Sequence, residues 1–228
     1  ENKAPGSFLL TGSANALLLP KLSDPLAGRI ESIPFMTLSE CEIKNTKPTF
    51  LQKLLSQVAP VTKAIRIRDY LLDRLVTGCF PVVLSRKNES RVHSWYKNYV
   101  GTLIQRDVHD ISDIRHPELM TKLMSVIMYH SGKLINFSEI GNKVKLDSTT
   151  VKKYIALLEQ LFLVKKLPAW HTSEYKRLIK MPKIHAIDTG MMCALRGINK
   201  QKLIKSPVDI GPLLETFVYN ELCKQAVF

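Results

Sequence analysis

Between Pro117 and Phe162 the sequence writes three helix starts and three stops in close succession, and few folds accept that pattern. Pro117 suits a first helical position, where its missing N–H costs nothing, and Glu118 favours the positive end of the helix dipole. Leu119, Leu123, Val126 and Ile127 recur at helical spacing, and Gly132 supplies a left-handed stop. Asn136-Phe137-Ser138-Glu139 reads as an Asn cap with Glu at the third position, a capping box, opening a short helix that ends near Val144. Asp147 and Ser148 cap a third helix, whose apolar face is Val151, Tyr154, Ile155, Leu158, Leu161 and Phe162. A short helix packed across a longer one is a helix-turn-helix. It leaves the N-terminal outer face of the longer helix free, in a shape that fits a major groove.

That free face carries Ser148, Thr149, Thr150, Lys152 and Lys153. The hydroxyls suit phosphates or base edges, and the lysines neutralise phosphate. After Phe162, residues 163–167 read as a strand with Lys165 and Lys166 at its middle, the basic wing of a winged helix. Ten cations face three carboxylates from Lys143 to Lys183, so this segment supplies +7 of a formal net charge of +13. Such a charge favours polyanionic partners, nucleic acid and duplex DNA first, without dictating a fold. The same module also serves elsewhere as a protein-interaction or lid element, and both uses stay open at this point.

Outside the module the patterns are simpler. Residues 8–11 read as a buried strand ending in polar turn residues, and 30–38 as a second apolar segment. Leu51, Leu54, Leu55 and Val58 share one helical face, as do Ile67, Tyr70, Leu71, Arg74 and Leu75 up to Gly78. Phe80-Pro81 is a break, and Trp95, Tyr96, Tyr99, Leu103 and Ile104 form an apolar stripe expected in the core. Cys41, Cys79, Cys193 and Cys223 lie far apart, which suits reduced thiols and a cytoplasmic setting. No apolar run is long enough to span a bilayer, and no signal peptide is visible. Both ends of the chain read as cut.

The ordered string of motifs resembles the prokaryotic AAA-type ATPases that carry an N-terminal P-loop domain and a C-terminal domain of unknown function. The matching stretches are 8–15 (Phe-Leu-Leu-Thr-Gly-Ser-Ala-Asn), 22–30 (Leu-Ser-Asp-Pro-Leu-Ala-Gly-Arg-Ile), Gly78-Cys79-Phe80-Pro81, Gln105-Arg106-Asp107-Val108, the helix-turn-helix, Leu167-Pro168-Ala169-Trp170 and Asp188-Thr189-Gly190. Leu214-Glu215 and Glu221-Leu222 fit a last helix. The resemblance implies nucleotide-sensing roles for Thr11, Ser13 and Arg29, with a strand-end cap and a surface arginine as the plain alternative. It also implies ATP and Mg²⁺ as cofactors of the whole protein. The chain departs from the pattern at Lys145, where the helix-turn-helix usually has Gly, and at Cys79 and Val82, where Gly and Glu are common.

A P-loop needs Gly-x-x-x-x-Gly-Lys-Ser/Thr. Ser131-Gly132-Lys133-Leu134 is the one Gly-Lys, and Leu134 cannot ligate Mg²⁺. This stretch alone is therefore not expected to hydrolyse ATP. Glu42-Ile43-Lys44 has the Glu-x-Lys tail of a nuclease motif without the Pro-Asp before it. The expected fold class is α+β and mostly helical. It is divided into the end of an α/β ATPase core (1–45), a helical lid or linker (46–112), a winged helix-turn-helix (113–183) and the start of a restriction-endonuclease-like α/β region (184–228). No catalytic residue, no metal site and no membrane partner are expected within it.

Overall fold

The computed structural model describes residues 6, 8–12, 31, 33–58, 68–111 and 117–226. Within them the chain is α+β and mostly helical, with one three-stranded antiparallel sheet. Two short helices come first, α1 (Glu40–Ile43) and α2 (Phe50–Leu55). They are followed by α3 (Arg68–Thr77), α4 (Pro81–Leu84) and the long α5 (Glu89–Ile111). Pro81 is less a break than a start, because it sits in the first turn of α4.

The second half opens with α6 (Pro117–His130), β1 (Lys133–Leu134), α7 (Phe137–Val144) and α8 (Ser148–Gln160). It continues through β2 (Val164–Leu167), α9 (Glu174–Ile179) and β3 (Lys183–Ala186). It closes with α10 (Thr189–Arg196), α11 (Lys200–Lys205), a 3-10 turn at Pro207–Asp209 and α12 (Ile210–Gln225). The sheet order is β1-β3-β2, with Lys133 opposite Ile184 and Val164 opposite Ala186. β3 is thus the central strand, and a boundary after residue 183 would cut it. A two-residue strand such as β1 leaves no periodic signal, which is why residues 133–134 did not read as sheet.

One core joins these elements. Its buried side chains run from Leu72 and Leu75 on α3, through Tyr96 and Ile104 on α5, to Ile155, Ile184, Met191 and Leu213. The aromatic stripe is core, as expected: Phe80 packs on Trp95, Tyr96 and Tyr99, and Trp95 stacks on Tyr99 with centroids 5.1 Å apart. On α6 the fully buried face is Met120, Leu123, Met124, Ile127 and Met128, with Leu119 and Val126 at its edge. The face is therefore turned by about a residue from the Leu/Val/Ile reading, because three flexible thioethers fill it.

Several local expectations are corrected. Residues 8–12 form no strand, and Phe8, Leu9 and Leu10 are exposed. A strand needs a ladder partner, and none lies beside them among the described residues. The segment 33–38 is likewise outside any strand, with Ile33 and Phe35 exposed. α2 forms, but Leu54, Leu55 and Val58 face solvent. Asn136 caps α7 by accepting from Glu139 N at 3.1 Å, yet Glu139 turns to Lys143 Nζ (2.8 Å) instead of completing a capping box. Phe162 leaves the apolar face of α8: the chain turns left-handed there (φ 52°) and its ring is 40% exposed.

Lys145 adopts the left-handed turn that glycine usually supplies (φ 61°, ψ 46°). A side chain there costs about 1 kcal/mol, so the departure from glycine strains the turn without changing its shape. Its amide donates back to Gly141 O, and Leu146 N does the same at 3.0 Å.

Candidate nucleic-acid interface

α8 begins at Asp147, whose carboxylate accepts Thr150 N at 2.9 Å and Thr150 Oγ1 at 2.5 Å. The Thr150 hydroxyl and the amides of the first turn hold the Asp147 carboxyl below the usual carboxylate range. Thr150 is half-buried and committed to this cap. It is not a free contact residue, since capping claims a hydroxyl at that position. Val151, Tyr154, Ile155 and Leu158 face the core, which turns Ser148, Thr149, Lys152 and Lys153 outward on one continuous surface. Lys152 Nζ lies 5.6 Å above the Phe137 ring. Lys153 makes no ion pair among the described residues. The start of α7 (Asn136, Phe137, Ser138), the start of α8 (Ser148, Thr149, Lys152) and Met181 line a shallow groove of about 320 Å³.

The two strand lysines do not join this surface as a pair. Neighbouring residues on a strand point to opposite faces. Lys165 is paired across the ladder with His185, on the face where His185 stacks on Tyr219 of α12 at 4.1 Å. Lys166 lies on the other face, where its Nζ is 2.9 Å from Glu159 Oε2 and its amide donates to Glu159 Oε1 at 3.0 Å. Glu159 stands two turns after Lys152 on the same stripe, about 10 Å along the axis. Its carboxylate neutralises Lys166 there.

The stretch after β2, whose cations count in the charge of 143–183, holds further exposed residues outside the predicted contacts. Between β2 and β3, Lys176, Arg177 and Lys180 are exposed beside exposed Trp170 and Tyr175. Two aromatics followed by three cations within residues 170–180 are the sequence signal for this stretch.

Of the residues assigned to nucleotide sensing, Thr11 is exposed and in no element, while Ser13 and Arg29 lie outside the described residues, as does all of 22–30. The motifs at Gly78 and Asp188 meet each other. Asp188 is fully buried and caps α10 through Met191 N (3.1 Å), and it accepts Cys79 N at 2.7 Å and Tyr96 OH at 2.7 Å. Gly78 turns left-handed (φ 77°) against it, and a Cβ at Gly78 would stand 2.1 Å from Asp188 Oδ1. A Cβ on Gly190 would meet Thr77 O at 2.4 Å. This is a clasp between α3 and α10, with no open coordination position. Burial, and after it the Asp188 carboxylate, pushes the Cys79 thiol up to about 12, which favours the thiol over the thiolate.

Glu215 sits elsewhere, 2.5 Å from Lys183 Nζ. Among the described residues no group of three or more His, Cys, Asp or Glu side chains is placed to hold a metal. The Glu-x-Lys at 42–44 is structural as well, because Glu42 completes a capping box with Ser39. Glu40 is held by Arg74 Nε at 2.7 Å and by the Tyr70 hydroxyl. The second anchor of this segment comes from α12, where Glu221 accepts Glu40 N at 2.9 Å and Lys224 Nζ donates to Leu38 O at 2.9 Å.

Fold and surface thus define a mostly helical α+β protein with an exposed hydroxyl- and lysine-bearing helix start. The chain belongs to the family described as a domain of unknown function, DUF8612, whose model matches residues 68–202. An uncharacterized protein of Mycobacterium tuberculosis is 26% identical over 219 residues, covering 96% of this chain and 44% of its own length. One of Methanocaldococcus jannaschii is 23% identical over 227 residues, covering 97% of this chain and 48% of its own. One of Haemophilus influenzae is 22% identical over 224 residues, covering 96% and 51%. The chain therefore spans about half the length of these relatives. No solved structure matches it significantly.

Proposed function

We propose that the module from α6 to β3 (117–186) is a winged helix that binds duplex DNA through the N-terminal face of α8, with Ser148, Thr149, Lys152 and Lys153 as its contacts. The observation that carries this reading is the outward surface of those four side chains, on a helix whose other face is buried. The order α6-β1-α7-α8-β2-β3, with β3 between the other strands, supports it as a reader module. Among the described residues no helix is long and apolar enough to cross a membrane.

A salt titration of duplex binding tests the reading. The two phosphates neutralised by Lys152 and Lys153 predict an affinity that falls about tenfold between about 50 and about 200 mM salt. Changing Lys152 and Lys153 together to Glu should cost at least as much while the circular dichroism melt is unchanged. Binding that survives the double change would take α8 out of the interface. No binding at low salt would remove the DNA reading altogether. The remaining alternative would then be a regulatory or protein-interaction scaffold, which draws on the exposed Phe35, Phe50, Leu54 and Leu55.

For the whole protein, the resemblance supports an ATP- and Mg²⁺-dependent, DNA-associated ATPase. Nucleotide hydrolysis by the full-length protein, lowered by Arg29→Ala, is its check. A full-length protein with no hydrolysis would end it.

A further inference from the structure

The connection between β2 and β3 presents large apolar side chains to water: Trp170 is 80% exposed, Tyr175 72% and Ile179 64%. Interleaved with them are the exposed cations Lys176, Arg177 and Lys180, against one carboxylate, Glu174. The connection is shaped by its own hydrogen bonds. Ser173 N donates to His171 Nδ1 at 3.0 Å, Ser173 caps α9, and Arg177 Nε donates to His171 O. It ends at Met181, itself exposed, which lines the groove beside Ser148, Thr149 and Lys152. The aromatic and cationic arm is thus continuous with the face of α8.

We propose that this arm stacks unpaired bases, so that the nucleic acid this protein prefers is a duplex continued by a single strand. α8 lies on the duplex, and Trp170 and Tyr175 lie on the strand. This rests on the duplex reading above. Within a duplex each base face is covered by its neighbours, and an indole meets only edges. In a single strand the faces are open, stacking is indifferent to sequence, and cations between the aromatics track the phosphates. Lys176, Arg177 and Lys180 follow Tyr175 on the same exposed arm and supply the charge for those phosphates. Nucleic acid is favoured over a lipid surface because α9 mixes its cations with its apolar residues and the arm ends at a groove whose lining is mostly amide and hydroxyl side chains with Lys152.

The experiment compares a blunt duplex with the same duplex bearing a thymidine tail of about ten nucleotides. The whole chain should bind the tailed form about tenfold more tightly. Its tryptophan emission should be quenched by the tail, and the quenching should vanish in Trp170→Phe, since Trp95 is packed among Phe80, Tyr96 and Tyr99. Trp170→Ala should lose the tail advantage and keep the affinity for the blunt duplex. Equal binding of both forms by the wild type overturns the inference and leaves the duplex reading standing. No binding of either overturns both. A tail advantage undiminished in Trp170→Ala removes the arm from the contact. Emission that shifts on vesicles of phosphatidylserine and phosphatidylcholine, with no response to tailed DNA, gives the arm to lipid and overturns the proposal.

Discussion

Gly78→Ala should lower the free energy of unfolding by about 4 kcal/mol, summing a left-handed residue and an overpacked core. The added methyl has nowhere to go. It would stand 2.1 Å from Asp188 Oδ1 and 2.3 Å from Tyr96 OH, and both atoms are already fixed by hydrogen bonds. Moving Asp188 aside exposes the cost of its partners, because the Cys79 and Met191 amides would be left unpaired inside the protein. Urea denaturation reads the effect as a shift in midpoint. Tyr96→Phe in the Gly78→Ala background should recover part of the loss by removing one of the two clashing oxygens. A loss below about 1 kcal/mol for Gly78→Ala would mean that the clasp yields easily and the described packing is wrong.

Arg74→Met should cost about 3 kcal/mol, the scale for breaking a buried ion pair by removing one partner. The guanidinium holds Glu40 at 2.7 Å and donates to Gly78 O at 3.0 Å. Methionine keeps much of the volume and none of the charge. Lys44, 3.6 Å from Glu40, softens the loss without filling the buried position. Glu40→Gln in the Arg74→Met background should restore more than half of the stability, because the stranded charge is then gone. Absence of that recovery would locate the damage in packing.

The same pair makes stability acid-sensitive. Burial pushes the Glu40 carboxyl up, but the Tyr70 hydroxyl, Arg74 and Lys44 outweigh it and hold the carboxyl below its ordinary value of 4.5. A depressed folded value means that the contribution is present above about pH 4.5 and is lost as the pH falls through the folded value. Arg74→Met should therefore flatten the acid limb of the unfolding curve.

What was legible in the sequence was what neighbours decide. The side-chain caps at Asn136 and Asp147 and the stripe from Val151 to Leu158 depend on residues three or four apart and are found where they are expected, without the reciprocal Glu139 bond of a capping box. The aromatic stripe at 95–99 was legible for the same reason. Contacts between distant residues were not. Nothing near Asp188 announces that it will accept from Cys79 and Tyr96, and nothing near Glu40 points to Arg74, Glu221 or Tyr70. The candidate interface shows both cases. Ser148, Thr149, Lys152 and Lys153 share a face because helical spacing says so. Lys165 and Lys166 read as one patch, yet strand alternation sends them apart, and only the placement of Glu159 and Tyr219 says what each one meets. Thr150 reads as a contact residue because a hydroxyl bonded to a cap and a hydroxyl without that bond look alike in a sequence.

The clasp has a bearing on how the chain assembles. Cys79 and Asp188 are 109 positions apart, and Tyr96 and Asp188 are 92 apart. Bringing such distant residues together costs chain entropy before any of the hydrogen bonds returns it, whereas α6, α7 and α8 meet across short turns. Loop-closure entropy therefore predicts that order spreads outward from the middle of the sequence: in pulsed hydrogen exchange the helix that bears Lys152 and Lys153 should be protected before the Cys79 and Met191 amides that Asp188 accepts.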